Sequence, residues 1–471
     1  TVAILNEIDR NNPNNYLVRC IVDDDRTKIG RRINSVPVVS STDDIPLMVK
    51  KYRIEEIILS IPSIDKENKK RILDICSTTK CKLKIVPEVY SLLTNDSNMM
   101  DKIRDVQVDD LLGRDPISLD CELTKKYVYN KTVLITGGGG SIGSELCRQI
   151  SLYSPSKLII LDIYENNSYD IQQELIRAHG NDLDIEVEIA SVRDKNKIDK
   201  IFESKSIDIV FHAAAHKHVP LMEKNPEEAI KNNVIGTYNV VQAAHKYKVD
   251  KFMLISTDKA VNPTSIMGAT KRISEMIIQS FNKQSETDFV AVRFGNVLGS
   301  SGSVIPLFKE QIKAGGPVTV THEEITRYFM TIPEAVQLVL RASSMAKGGE
   351  IFVLDMGEPV KIKDLAYNLI KLSGLEPEVD IEIQYTGLRP GEKLYEELLI
   401  TNSENQMKTD IEKIFIERPT DFDENELFKL IKELENAANN IEIDKIILLI
   451  EKLVPTYKRT TNGKAESTNC A

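Results

Sequence analysis

Several features that would quickly assign a function are missing from this chain of 471 residues. There is no basic excess. The formal net charge is −10, which excludes a general nucleic-acid binder, because neutralising phosphates needs clustered Lys and Arg. Local basic residues can still hold one diphosphate. The six cysteines contain no CxxC pair, and no His/Cys cluster has metal-ligand spacing, so no metal is expected and the thiols read as reduced, as in the cytosol. Cys147 falls inside a helix pattern and is expected in the core. No apolar run reaches the roughly 18 residues needed to span a bilayer, no signal peptide is visible, and no short-period repeat occurs. An initiator Met is also absent: the chain opens at Thr1, and TVAILNEI reads as a helix cut from a longer protein.

What is present is ordinary for a globular protein, with 41% hydrophobic and 28% charged residues. The length suits two or three domains. Residues 1–90 alternate helix (TVAILNEIDR, IPLMVKKY, KENKKRILDICSTT) and strand (YLVRCIVDDD, IEEIILSIPS, CKLKIVPEV), which predicts a parallel sheet in a truncated Rossmann-like domain without catalytic residues. Residues 91–130 are polar and turn-rich and read as a linker, in which VQVDDLLGRDP could pack at a domain or subunit boundary. A second α/β rhythm begins at Lys131, with strands in TVLIT, KLIILD, IEVEIASV, IDIVFHAAA, KFMLIST and FVAVRFGNV. The expected fold is therefore α/β, with two tandem doubly wound parallel-sheet domains. The second, residues 131–440, has a core over about 131–297 and a smaller substrate region over about 298–400. The stretch from Glu424 to Val454 reads as amphipathic helix. Residues 441–471 are a C-terminal helix and tail, whose last part, TYKRTTNGKAESTNCA, is expected to fray.

The candidate chemistry starts at TGGGGSIG. Gly137, Gly140 and Gly143, with Ser141 and Ile142, follow a strand and open a helix, the context in which backbone approaches a pyrophosphate and a helix N-terminus faces its charge. The alternative is a plain flexible turn. Asp162 ends the next strand, where a carboxylate binds ribose hydroxyls and repels a 2′-phosphate, so NAD is expected rather than NADP. Arg148, on the first helix, reads as solvent-facing or in a salt bridge. Ser191 and Val192 end the third strand, where an adenine edge would lie. Ala213, Ala214 and Ala215 end the fourth, and either let a cofactor lie flat on the sheet or simply pack. In His216-Lys217-His218, Lys217 is the candidate substrate contact, the alternative being a solvated loop lysine.

The central stretch is LISTDKAVNPTSIMGATK. It sets Thr257, Asp258 and Lys259 at a strand end and Met267 and Lys271 on one face of the following helix. An adjacent acid and amine suit an elimination, the alternative being a loop ion pair.

TGGGGSIG, AAAHKHVPLME, STDKAVNPTSIMGATKR, VRFGNVLGSSGSVIPLF, ITRYFMTIPEAVQLVL and RPGEKLYEELL together resemble one family: extended short-chain dehydrogenases/reductases that act as bacterial UDP-N-acetylglucosamine 4,6-dehydratases. The resemblance covers nearly the whole chain, and residues 1–90 resemble the extra domain of the larger, membrane-anchored members. It implies bound NAD, UDP-N-acetylglucosamine as substrate, a homo-oligomer, and a role in surface polysaccharide or protein glycosylation. It also implies a parent protein held by upstream helices at the cytoplasmic face of the inner membrane. One departure is informative. The wider superfamily has Tyr-x-x-x-Lys where this chain has Met267-Gly268-Ala269-Thr270-Lys271, and Met is neither acid nor base; the larger dehydratases share the Met.

The reaction so implied oxidises C4, eliminates water across C5 and C6, and returns hydride to C6. Lys259 is then the C5 base, which requires a neutral amine, and Asp258 the C6 acid, which requires a protonated carboxyl; both demands run against ordinary pKa values. Lys271 serves the nicotinamide ribose. Thr257 is the candidate for the C4 hydroxyl proton, or is merely structural, and Ser256 supports it. Asn296, Ser301, Ser303, Val304 and Ile305 resemble uridine and diphosphate contacts. Arg327 and Arg389 are the cationic candidates for the diphosphate and Glu392 for a ribose hydroxyl, while Arg327 could equally form a structural salt bridge. Retention at C5 is expected from the Met267 subfamily. The alternatives are a C5-inverting dehydratase, an epimerase, or an inactive NAD-sensing module.

Overall fold

The structure is a computed structural model that describes residues 1–11, 16–61, 64–79, 81–86, 103–106, 110, 122–397, 406–417 and 422–459. It divides into two compact units, one of Thr1–Asp115, Val304–Glu323 and Lys361–Thr386, the other of Pro116–Ser303, Glu324–Val360 and Gly387–Ala471.

The second unit is built on a nine-stranded sheet. Its strands in chain order are β1 (Thr132–Thr136), β2 (Lys157–Asp162), β3 (Ile185–Ile189), β4 (Ile209–His212), β5 (Lys251–Ile255), β6 (Asp288–Arg293), β7 (Ile351–Leu354), β8 (Gln406–Lys408) and β9 (Ile414–Glu417). Across the sheet they run β8-β9-β7-β6-β5-β4-β1-β2-β3. The first seven are mutually parallel, while β9 and β8 close the edge antiparallel. Runs such as Val133-Leu134-Ile135 are fully buried because helices cover both faces, which is why these strands read as continuous apolar stretches and not as alternation. Chain order reverses on the two sides of β1, and ligands of such sheets bind beyond the carboxyl ends at that point. All six expected strands of this unit form. β7 to β9 are not apparent in the sequence, because IFVL is only four residues long and β8 and β9 add to the edge after a long excursion.

The C-terminal amphipathic stretch forms two helices, Glu424–Asn439 and Ile443–Leu453. The break falls where Ile441 takes a left-handed φ of 58°. Leu430, Leu434 and Ile450 pack into the same core as β5 and the helix Ile266–Asn282. The expected fraying does not begin at Thr456: Tyr457 is buried in that core and the Lys458 N–H donates to the Pro263 carbonyl, while residues 460–471 lie outside the described residues.

In the first unit the predicted helices appear as Val2–Asn11, Ile45–Tyr52 and Lys66–Ser77. The strands fall into two small sheets. Ile21–Val22 pairs parallel with Val36–Ser40, which pairs antiparallel with Arg32–Ile33. Glu56–Leu59 pairs parallel with Lys82–Ile85, itself antiparallel to Arg104–Asp105. The unpredicted hairpin turns at Asn34 and Ser35, both left-handed, with φ of 47° and 65°; two successive positive φ angles match the twist of a tight hairpin. Of the expected linker, Arg104–Asp105 is strand and Glu122–Val128 helix; most of VQVDDLLGRDP lies outside the described residues. Among the described residues no helix is long and apolar enough to cross a membrane.

Candidate active site

At the end of β1 the chain turns through Gly137 and enters the helix Ser141–Ser151. Two of its glycines are sterically required. Gly137 has φ of 68°, and a Cβ there would lie 2.7 Å from the backbone nitrogen of Ala214. A Cβ on Gly143 would lie 2.0 Å from the Gly137 carbonyl oxygen. The turn is therefore pressed onto the end of β4, where Ala213, Ala214 and Ala215 sit, and leaves backbone N–H groups and a helix N-terminus unencumbered by side chains. Asp162, ending β2, accepts hydrogen bonds from the Gly139 N–H at 2.9 Å and the Tyr164 N–H at 2.9 Å. Its carboxylate is thereby fixed beside the turn. This cradle fits a dinucleotide: small residues where a pyrophosphate needs close backbone, and an anchored acid where a ribose needs an acceptor. Past β3, the Ser191 hydroxyl accepts from the Arg193 N–H at 3.2 Å, and Val192 is buried against Gly236. Ile142 packs onto the core with β1 and β2. Arg148 forms a salt bridge, pairing with Glu174 at 2.6 Å.

After β5 come the central residues. Ser256 is buried and its hydroxyl donates to Glu275 at 2.6 Å. Glu275 lies in the middle of the helix Ile266–Asn282 and is itself held by Arg293 at 2.6 Å and Arg272 at 3.1 Å; Arg293 also pairs with Glu417. Burial would raise the Glu275 carboxyl, but the guanidiniums of Arg293 and Arg272 bring it down to about 2. Ser256 is thus tied to a buried ion network beneath the site. Thr257 begins the short turn Asp258–Ala260 and its hydroxyl donates to Asp258 Oδ1 at 2.8 Å.

Asp258 is fully buried and its Oδ1 lies 3.0 Å from Lys259 Nζ. The same Nζ lies 3.2 Å from Glu396 Oε1 and 3.4 Å from Asn296 Oδ1. Burial raises the Asp258 carboxyl, with Lys259 opposing and Glu396 adding to the rise. The lysine departs from the sequence expectation. Burial would lower its pKa, but the charges of Asp258 and Glu396 outweigh that and hold it above the ordinary lysine value, so the amine is charged in this arrangement and not neutral. The sequence does not single out Glu396: its only signal is a second acid four residues beyond Glu392 in RPGEKLYEELL. For Glu396 too burial pulls upward, and Lys259, Arg327 and Lys393 bring it below the usual carboxylate range. Asp258 Oδ2 and Glu396 Oε2 are buried with no hydrogen-bond partner.

Ser265 caps the following helix by accepting from the Gly268 N–H at 3.1 Å. Met267 and Lys271 are both buried on it. Met267 belongs to the apolar core. Burial lowers Lys271 to about 8, against the pull of Glu275. Nearby His212 is brought to about 3 by burial and then by the Lys271 charge; it stays neutral between Thr136 at 2.7 Å and Thr237 at 3.0 Å. Asn233, also missed from sequence, ties the His216 backbone to the helix: its Oδ1 accepts from the His216 N–H at 2.8 Å and its amide donates to Thr270 at 3.0 Å.

Lys217 is lowered by burial and donates to Ser300 at 3.5 Å. The Ser301 N–H donates to Ser141 Oγ at 3.2 Å, which links the Ser301 loop to the glycine turn. The Ser303 hydroxyl is buried without a partner. Val304 and Ile305 begin the helix Val304–Lys313, which belongs to the first unit. Arg327 and Arg389 do not stand free: both reach Glu392, at 3.3 Å and 3.0 Å, and Arg327 also approaches Glu396 at 3.5 Å. Glu392 is thus already occupied by two guanidiniums.

Residues 133–419 match the family described as polysaccharide biosynthesis protein, and residues 2–87 match a CoA-binding domain. A capsular polysaccharide biosynthesis protein, CapD, of Staphylococcus aureus is 51% identical over 427 residues, covering 90% of this chain and 71% of that protein. A UDP-N-acetylglucosamine 4,6-dehydratase (inverting) of Campylobacter jejuni subsp. jejuni is 35% identical, covering 62% of this chain and 83% of that protein. Among solved structures, Pen from Bacillus thuringiensis is 38% identical with a TM-score of 0.57, covering 62% of this chain and 90% of that one.

Proposed function

The chain belongs to the polysaccharide biosynthesis protein family, and from that premise we propose that it converts UDP-N-acetylglucosamine to a UDP-2-acetamido-2,6-dideoxy-4-keto-hexose by NAD-dependent 4,6-dehydration. The observation that carries the reading is the contact of Asp258 with Lys259 at 3.0 Å, buried at a strand end beyond the dinucleotide cradle. Removing water across C5 and C6 needs an acid and a base within one sugar ring's reach, whereas a 4-epimerisation needs only one group that takes the O4 proton and returns it. When bound, the nicotinamide supplies a hydride acceptor at C4 and later a donor at C6.

The chain's own residues manage the protons. Gly137, Gly140, Ser141 and Gly143 hold the pyrophosphate and Asp162 the adenosine ribose; its negative charge disfavours a 2′-phosphate. Lys271 binds the nicotinamide ribose. Thr257 stands in for the tyrosine that Met267 replaces: it takes the C4 hydroxyl proton and passes it along its hydrogen bond to Asp258. Asp258, with its raised pKa, keeps that proton and gives it to the departing C6 hydroxyl, so one proton leaves O4 and one joins O6. Lys259 removes the C5 proton and returns one of the hydrogens of its ammonium, the others of which have exchanged with solvent. A single amine acting from one side implies retention at C5. Asn296, Arg327 and Arg389 meet the nucleotide part, with the guanidiniums exchanging Glu392 for phosphate.

Inversion is the second reading, favoured by the name of the Campylobacter relative. The experiment is incubation of the protein with UDP-N-acetylglucosamine in D₂O, followed by NMR. A 4-keto-6-deoxy sugar with deuterium at C5 is expected, and its coupling constants separate retention from inversion. An unchanged sugar, or one altered only at C4, would sink the dehydration.

A further inference from the structure

The assignment of Lys259 as base leaves a conflict that Glu396 resolves. Lys259 Nζ is charged between two carboxylates, Asp258 at 3.0 Å and Glu396 at 3.2 Å. A base must shed that proton, and Asp258 cannot take it, since Asp258 is the carrier of the proton bound for O6. Solvent has little access, because Asp258 and Glu396 are buried and Lys259 is mostly so.

We propose that Glu396 is a positioning residue that accepts the Lys259 proton before the elimination and returns it afterwards. The inference rests on the dehydration reading. In the transfer an N–H bond on Lys259 breaks and an O–H bond forms on Glu396 Oε1, and an ion pair becomes a neutral pair. The bookkeeping closes over one turnover. Asp258 gains the O4 proton and loses it to the leaving water; Lys259 gains the C5 proton and returns one of its ammonium hydrogens; Glu396 then hands back the proton it held, and all three regain their first states.

The charged groups around the pair set the balance. Asp258 faces Lys259 from the neighbouring position, and Arg327 approaches Glu396 Oε1 at 3.5 Å from the strand Thr326–Arg327. Lys393 lies on the same segment as Glu396 and is engaged with the Val261 carbonyl and Glu397. Glu392 neutralises Arg327 from its other side. A ligand phosphate that drew Arg327 away would strip Glu396 of its nearest guanidinium and make the carboxylate a better proton acceptor. Its second carboxylate oxygen is buried without a hydrogen-bond partner.

The test is the rate of deuterium entry at C5 in D₂O, measured for the full chain and for E396Q and E396D across neutral to alkaline pH. Gln keeps an oxygen beside Lys259 but takes no proton. E396Q should be slower near neutrality on the order of 100-fold, and its deficit against wild type should narrow by about tenfold per pH unit as solvent removes the lysine proton. E396D should recover much of the rate with no such narrowing. An E396Q deficit constant at every pH, or none, overturns the inference, because a merely structural residue gives the former. Should wild type form no 4-keto-6-deoxy sugar, the dehydration reading itself falls and takes this inference with it, an outcome distinct from an E396Q that matches an active wild type.

Discussion

Gly268 packs so closely on Lys259 that a Cβ there would lie 2.2 Å from the Lys259 carbonyl oxygen. The helix that carries Met267 and Lys271 is thereby set directly on the turn that carries Asp258 and Lys259. Backbone cannot yield as a side-chain tip can, so Gly268→Ala must push the turn and the helix apart. A loss of about 1–3 kcal/mol in urea unfolding is expected, together with a fall in turnover larger than the fall in cofactor affinity. Unchanged kinetics would show that the turn can move freely.

Asp258 and Lys259 should behave as a unit. D258N and K259A are each expected to lower turnover by roughly 100-fold or more, and the double variant by little more than either alone. NAD binding, followed by fluorescence or calorimetry, should be unaffected, since neither residue belongs to the cradle. Multiplying losses in the double variant would mean two independent roles.

Much of this site is legible in the sequence because it is local. The glycine turn, Asp162, the Thr257-Asp258-Lys259 turn and Lys271 each follow a strand whose apolar run is unmistakable, and the topology then brings the strand ends together. What could not be read is what depends on distant segments. Glu396 reaches Lys259 from far along the chain and joins the adjacent Asp258 in outweighing the burial that would otherwise discharge the amine. Arg327, Arg389 and Glu392 read as separate contacts in the sequence, and only the folded chain shows them tied to one another. In the first unit the small sheets hang on a hairpin at Asn34 and Ser35, whose left-handed angles carry no glycine to announce them.

Lys271 is held at about 8 by burial. Its folded pKa lies below the unfolded one, so the unfolded chain binds more protons between the two values and stability should rise with pH from about 8 toward 10.5. At pH 7 the charged, buried amine is a cost. Lys271→Met should therefore raise stability at neutral pH by about 1–3 kcal/mol while NAD affinity and turnover collapse. A destabilised variant would mean the amine has a partner whose loss outweighs its burial.

Glu275 gives the opposite sign. Its folded pKa is brought to about 2, below the unfolded value of 4.5, so its stabilisation is full above about 4.5 and is lost as pH falls toward 2. Glu275→Gln leaves the Arg293 guanidinium with one fewer charge partner in a buried place and should cost about 3–5 kcal/mol at pH 7. The gap between variant and wild type should shrink in unfolding curves taken near pH 3. A gap that stays constant would assign the effect to packing.

The most direct measurement of the whole account is the fate of C5 in D₂O. Supplied with UDP-N-acetylglucosamine, the protein is expected to give a 4-keto-6-deoxy sugar carrying one deuterium at C5 in the original configuration, with Lys259→Ala giving neither product nor exchange. A wild-type protein that leaves C5 protonated and C6 hydroxylated, or a Lys259→Ala variant that exchanges as fast as wild type, would contradict it.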